Sequence, residues 1–148
     1  MHARTFDHFS ITVSDLERSL AFYRDLLGLR EVERHRLEGA GIEQMTAKPG
    51  VVMQVVRLGA PDTPGILLDL QQYLSPGGRQ SDSRLGDVAN AHLCFGVPDL
   101  PAACRELQAR GVELLSEPVT FDLDFGQVRV VFLKDPDGFV LELMEAPA

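Results

Sequence analysis

Tryptophan is absent from the chain, and tyrosine and cysteine occur only twice each. Without an indole, a binding pocket built on broad aromatic stacking is disfavoured. Two cysteines in 148 residues do not make a disulfide scaffold. Cys94 falls in a strand-like stretch and Cys104 in a helix-like one, so both are read as reduced, mostly buried thiols. Positive charge is also scarce: 14 Lys and Arg stand against 22 Asp and Glu, a formal net charge of -8. That balance argues against nucleic acid as a partner, which calls for a basic surface. No run approaches the roughly 18 apolar residues of a membrane span, and the opening MHARTFDHFS has no apolar signal core. The expectation is a soluble, cytoplasmic protein that binds neither nucleic acid nor membrane.

What the chain does have is one phrase written twice: DHFSITVSDL from Asp7 to Leu16, and AHLCFGVPDL from Ala91 to Leu100. With His8 and His92 aligned, both read H-[FL]-x-[IF]-x-V-x-D-L. A helical segment follows each. The first opens with Ser14 and Glu17 at capping-box spacing and ends at Gly28; the second opens with Asp99 as N-cap and ends at Gly111. Leu16, Leu20, Tyr23 and Leu27 recur at helical spacing and predict one buried face.

The halves also end alike, in DTPGILLDL (Asp62 to Leu70) and DPDGFVLEL (Asp135 to Leu143), each a turn followed by a short apolar strand with an embedded acid. Further strand candidates, GVVMQVVRL and GQVRVVFL, precede them. The expected architecture is α+β: two βαβββ modules, residues 1–74 and 91–148, joined by a linker at 75–90 within a single 148-residue domain. Each half is too small to bury its own sheet face well, so independent folding is not expected. The interval from His8 to Asp69 exceeds that from His92 to Glu142, and the excess is assigned to the charged, Gly-containing RHRLEGAGIEQMTAKPG.

Strand alternation sorts the chemistry. Phe9, Ile11 and Val13 share one face and His8, Ser10 and Thr12 the other; Leu93, Phe95 and Val97 oppose His92, Cys94 and Gly96. On the closing strands Leu68 and Leu70 oppose Asp69, and Leu141 and Leu143 oppose Glu142. The apolar face is the one a helix covers. The other gathers two histidines and two carboxylates. A lone strand histidine is ordinarily structural, but an acid inside an apolar run needs a partner. Four matched positions form an N/O ligand set for Zn, Fe, Ni, Co or Mn, with His8, Asp69, His92 and Glu142 as candidate ligands.

These motifs resemble the vicinal oxygen chelate superfamily, which includes glyoxalase I, methylmalonyl-CoA epimerase, extradiol dioxygenases, fosfomycin-resistance enzymes and bleomycin-binding proteins. The resemblance runs from about Phe6 to Glu145 and is most specific in DHFSITVSDLERSLAFYRDLLGL and LKDPDGFVLELME. It implies paired βαβββ modules whose sheets curl into a cup with helices outside, formed within one chain or swapped between two, and a divalent metal held from the first and last strands. Carried over by position, the ligands fall on His8, Asp69, His92 and Glu142. Aspartate departs from the Glu, Gln or His usual at the second place, and His8, His92 and Glu142 alone still make a complete two-histidine, one-carboxylate set.

The implied chemistry is proton transfer next to a carbonyl on a small oxygenated substrate, of the lyase, isomerase or epimerase type, with Glu142 or Asp69 as the base. Glu43 is a weaker candidate. A metal-free drug-binding protein of the bleomycin-resistance kind is the alternative, and an Fe(II) extradiol-type dioxygenase a second one. For the latter the resemblance asks for a further histidine and tyrosine near the metal; only His2, His35, Tyr23 and Tyr73 remain, and none falls in the closing hairpin, where Phe132 sits. His2 is read as a terminus and His35 as a solvated edge residue. Substrate contacts are expected from Gln54, Phe121, Phe125 and Gln127, and Arg79 and Arg84 of the linker are candidates for an anionic tail. Exposed sheet edges favour a homodimer.

Overall fold

The computed structural model describes residues 2–63, 65–81 and 84–146. Pro64 of the first turn, Asp82 and Ser83 of the linker, and the extreme ends of the two modules lie outside the described residues. The chain divides into two compact units, and the boundary, between Gln80 and Ser81, falls inside the 75–90 stretch.

The first unit runs β1 (His8–Thr12), α1 (Leu16–Leu20), β2 (Arg30–Glu38), α2 (Ala40–Thr46), β3 (Val52–Gly59) and β4 (Leu67–Ser75), with α1 continuing as a π-helical segment over Ala21–Leu26. Its sheet order is β1-β4-β3-β2, with β1 parallel to β4 and the other pairs antiparallel. The second unit runs β5 (Leu93–Gly96), α3 (Leu100–Ala109), β6 (Val119–Leu123), β7 (Gly126–Lys134) and β8 (Val140–Glu145), in the order β5-β8-β7-β6. Here too the first strand is parallel to the last. The repeated strand, helix, three strands is therefore present in both, as mixed four-stranded sheets. The first unit adds α2, which accounts for its longer interval.

In each unit the apolar side of the strand alternation lies under the helix. Ile11, Val13, Val56, Leu58, Leu68 and Leu70 are buried with Leu16 and Leu20 of α1. Val131, Leu133, Leu141 and Leu143 are buried with Leu100, Cys104 and Leu107 of α3. Each such side chain contributes about 1.5–3 kcal/mol on leaving water, which is what holds helix to sheet. Gly28 and Gly111, at φ +79° and +80°, end the two helical stretches in a backbone conformation that side chains resist.

The helix starts are fixed by matched residues. Asp99 Oδ1 accepts from the Ala102 amide at 2.8 Å, as expected. In α1 the cap is Asp15, not Ser14: Asp15 Oδ1 accepts from the Arg18 amide at 3.0 Å, and Ser14 Oγ accepts instead from the Arg18 guanidinium. The repeat itself pairs Asp15 with Asp99. A second pair of acceptors comes from the closing strands, where the Leu16 amide donates to Gln72 Oε1 at 3.1 Å and the Leu100 amide to Glu145 Oε2 at 2.7 Å. Gln72 and Glu145 each lie three residues beyond the embedded acid. They face the helix, and Asp69 and Glu142 are therefore turned to the opposite face.

Both cysteines are free. Cys104 is buried as expected, but Cys94 is exposed, because it lies on the side of β5 away from α3. Among the described residues no helix is long and apolar enough to cross a membrane.

Candidate functional site

In the first unit, Asp69 is paired in register with Ser10 of β1 on one side and Arg57 of β3 on the other. Residues so paired share a face, which carries His8, Ser10, Asp69, Arg57 and Val55. His8 Nδ1 lies 2.7 Å from Asp7 Oδ2. A carboxylate only accepts, so Nδ1 bears the hydrogen of this bond, and in the neutral imidazole Nε2 is then the nitrogen with the lone pair. Nε2 points toward Asp69, 3.9 Å from Oδ2. The bond from His8 holds the Asp7 carboxyl below its usual range.

Asp69 is buried, and both of its oxygens are taken by one guanidinium: Arg57 Nε donates to Oδ1 at 2.9 Å and an Arg57 terminal nitrogen to Oδ2 at 3.1 Å. The other terminal nitrogen donates to Glu33 Oε1 at 3.1 Å. The hydrogen bond to Asp69, with the charges of Asp69, Glu33 and Asp7, raises the Arg57 pKa against the opposing effect of burial. Beside this network α2 packs onto the same face, Ile42 joining Val51, Met53, Val55 and Tyr73 in an apolar cluster.

The second unit repeats the arrangement with one change. His92, just ahead of β5, places Nε2 3.1 Å from Glu142 Oε2 on β8. Glu142 is paired in register with Cys94 of β5 on one side and Phe132 of β7 on the other. The Phe132 ring meets the His92 imidazole edge-on, centroids 5.3 Å apart and planes at 84°. Burial around the Cys94 thiol, with the charge and hydrogen bond of Glu142 added, pushes it up to about 11. Across the strand pair from Glu142 stands Phe132, where Arg57 stands across from Asp69 in the first unit.

The remaining sequence candidates divide. Phe121 and Phe125 are exposed, and Phe121, paired with Val128, lies on the Glu142 face of its sheet. Gln54 and Gln127 do not join them. Gln54 pairs with Gln72, and Gln127 pairs with and donates to Asp122 at 3.0 Å, so both are on the faces opposite Asp69 and Glu142. Glu43 Oε1 accepts from the Gly50 amide at 3.0 Å and closes the α2–β3 loop. His35 is exposed on β2, 3.2 Å from Glu33. Arg79 is exposed, and the carbonyl of Arg84 receives a bond from Asn90.

Arg57, Phe132 and Asp7 are the site neighbours that sequence reasoning did not assign. The signal for Arg57 was a single cation inside the apolar run GVVMQVVRL.

A donor set of imidazole nitrogen and carboxylate oxygen suits a divalent ion of the zinc-to-manganese range. His92 and Glu142 fit that use, since their facing atoms are close and an apolar ring holds the imidazole. His8, as the neutral imidazole, fits it through Nε2. Asp69 does not, because its oxygens are already engaged. Among the described residues no three His, Cys, Asp or Glu side chains are grouped to hold a metal ion.

Comparison with known proteins agrees with this reading of the fold. The chain is 28% identical to lactoylglutathione lyase of Pseudomonas aeruginosa, over 95% of its own length and 82% of the relative's. It is 32% identical to 2-epi-5-epi-valiolone epimerase of an Actinomyces species, over 95% and 79%. A glyoxalase family protein from Bacillus cereus shares the fold with a TM-score of 0.87 at 20% identity, covering 98% of this chain and 95% of that one. The family model described as Glyoxalase/Bleomycin resistance protein/Dioxygenase superfamily matches residues 5–143, nearly the whole chain. The chain belongs to the glyoxalase/bleomycin resistance protein/dioxygenase superfamily.

Proposed function

We propose that the protein is a metal-dependent enzyme that moves a proton at a carbon next to a carbonyl, on a small oxygenated substrate. The observation that carries this reading is the His92–Glu142 pair, its atoms 3.1 Å apart, with the matching His8 engaged by Asp7 through Nδ1 so that Nε2 remains for a ligand bond. Two relatives bearing the names of a lyase and an epimerase support the same reaction class.

In this reading His8, His92 and Glu142 hold a divalent ion (Zn, Ni, Co, Mn or Fe). Such an ion, when bound, supplies Lewis-acid stabilisation of negative charge developing on a substrate oxygen. Glu142 removes the proton from the adjacent carbon and returns it, as a carboxylate in contact with an open site is able to do. Phe132 packs its ring against the His92 imidazole and so restricts its orientation. Phe121, exposed on the Glu142 face, offers apolar contact to the body of the substrate.

The test is metal content of protein purified without a histidine tag, joined to deuterium incorporation from heavy water into a panel of carbonyl compounds. Wild type is expected to hold one ion per proposed set and to exchange a carbonyl-adjacent proton, and Glu142→Ala to lose both. Absence of bound metal, together with no thermal stabilisation by Zn, Ni, Co, Mn or anaerobic Fe(II), sinks the proposal and favours a metal-free binding protein.

A further inference from the structure

The two units place different residues across from their acids, and the difference assigns the acids different work. Directly across from Glu142 in the antiparallel pair stands Phe132, and directly across from Asp69 stands Arg57. A phenylalanine asks nothing of a carboxylate. An arginine in that position makes a fork that matches both carboxylate oxygens, among the stronger pairings available to a side chain.

We infer that Asp69 is withheld by Arg57 from any metal ion that His8 holds, Arg57 being a positioning residue that acts through the Asp69 carboxylate. This rests on the metal reading proposed above. Three features hold the fork in place. Both Asp69 oxygens are bonded, at 2.9 and 3.1 Å, and the carboxylate is buried. Arg57 is tied from behind by Glu33 at 3.1 Å, with Asp7 a further 3.9 Å contact, so it is not free to swing aside. The guanidinium also puts a fixed positive charge beside any cation that approached Asp69, and like charges at that range repel.

His8 is left differently placed from its neighbour. Its Nδ1 hydrogen is spent on Asp7, and at 3.9 Å from Asp69 its Nε2 is beyond hydrogen-bonding reach. The imidazole is thus presented without a competing bond, while the adjacent carboxylate is not. With Asp69 withheld, one more position on an ion held by His8 remains open to solvent or to a substrate oxygen.

Co(II) is the probe, because its visible bands report the number and kind of its ligands. The full-length protein is titrated with Co(II) as wild type, His8→Ala, Asp69→Asn, Arg57→Met and the double variant Arg57→Met/Asp69→Asn, with far-UV circular dichroism and urea midpoints as the fold control. Asp69→Asn is expected to keep the wild-type band positions and intensities and to lose no more than about tenfold in affinity, the lower end of an outer-shell change. His8→Ala is expected to lose the wild-type spectrum. Arg57→Met is expected to change it, because the released carboxylate joins the ion. The double variant, with no carboxylate to release and no buried unpaired charge, is expected to return to the wild-type bands and keeps the test open should Arg57→Met fold poorly. If Asp69→Asn loses the bands as His8→Ala does, the inference is overturned while the metal site stands. If the double variant keeps its fold but not the wild-type bands, the inference is likewise overturned. Wild type that binds no Co(II) overturns the metal reading and this inference together.

Discussion

Phe132 stands across from Glu142 in the β7–β8 pair and turns its ring edge-on to His92, at a centroid distance of 5.3 Å. The same place in the first unit belongs to Arg57, across from Asp69. One repeat has thus kept its acid against an apolar partner, and the other has neutralised its acid with a guanidinium. The doubled sequence is symmetric in backbone and in helix capping, and asymmetric in the chemistry of its two carboxylates.

Phe132→Ala removes the ring that holds His92. The side chain is only half-buried, so the cost to stability is about 2 kcal/mol, below the 3–5 kcal/mol of a fully buried phenylalanine. Freed of that contact the imidazole samples other rotamers, and metal affinity falls by about tenfold, as for other losses of outer support. Urea unfolding and a Co(II) titration check the two effects separately. An affinity equal to wild type would show that His92 is oriented without the ring.

The helix caps give a test of the fold that does not involve the site. Asp15→Ala and Asp99→Ala each remove a side-chain acceptor from a helix N-terminus and are expected to destabilise by about 1 kcal/mol. Ser14→Ala, which leaves the backbone amides capped, is expected to cost less than about 0.5 kcal/mol, as for a surface change. Chemical denaturation of the three variants decides it. A larger loss at Ser14 than at Asp15 would restore the capping box predicted from Ser14 and Glu17.

Much of this frame was legible because the phrase occurs twice. Two copies of H-x-x-x-x-V-x-D-L give the strand, the start of the helix and the face of each histidine, and the alternation around Asp69 and Glu142 separates each acid from its leucines. The faces of Gln54 and Gln127 were not legible, and the reason is physical. β3 is apolar on both sides, with Val56 and Leu58 buried toward α1 while Met53 and Val55 are covered from α2. Alternation carries no signal in such a strand. α2 was hidden for another reason: it begins after Gly39, contains Gly41 and has no side-chain cap, so Glu43 is left as the sole helix signal in its first turn. The Arg57–Asp69 pairing depends on the register of two antiparallel strands, which residue types in one strand do not specify.

Cys94 is exposed, yet its thiol is pushed up to about 11 by burial around the sulfur and by Glu142. In metal-free protein at pH 8 the thiolate is therefore scarce, and alkylation by iodoacetamide is expected to be slower than for a free cysteine, since the thiolate is the reactive form. The rate is expected to rise with a midpoint near 11, where the ordinary thiol value is 9.0. The sign for stability follows. Between those values the unfolded chain has lost the proton and the folded chain retains it, so this residue's contribution to stability falls as pH rises from about 9 to about 11. Glu142→Gln removes the carboxylate charge and lowers the midpoint. A pH profile of alkylation for wild type and Glu142→Gln tests this; a wild-type midpoint near 9 would contradict the packing around Cys94.

Phe132→Arg asks whether the first unit's arrangement, transplanted, silences the second. An arginine across from Glu142 has the same strand pairing as Arg57 has to Asp69, and its charge is met by a carboxylate, so the fold is expected to hold. On the metal reading proposed above, Co(II) at 100 times its dissociation constant is expected to stabilise the wild-type folded state by about 2.7 kcal/mol. At about 2–4 °C per kcal/mol for a chain approaching 150 residues, that is a shift of roughly 5–11 °C in melting temperature. With both Glu142 oxygens drawn to a guanidinium and a fixed positive charge beside His92, the shift at the same Co(II) concentration is expected to fall to nearly zero. Melting curves with and without Co(II) measure it directly. A shift as large as in wild type would mean that an arginine across the strand pair does not disable a carboxylate, and would weaken the case that Asp69 is disabled in that way.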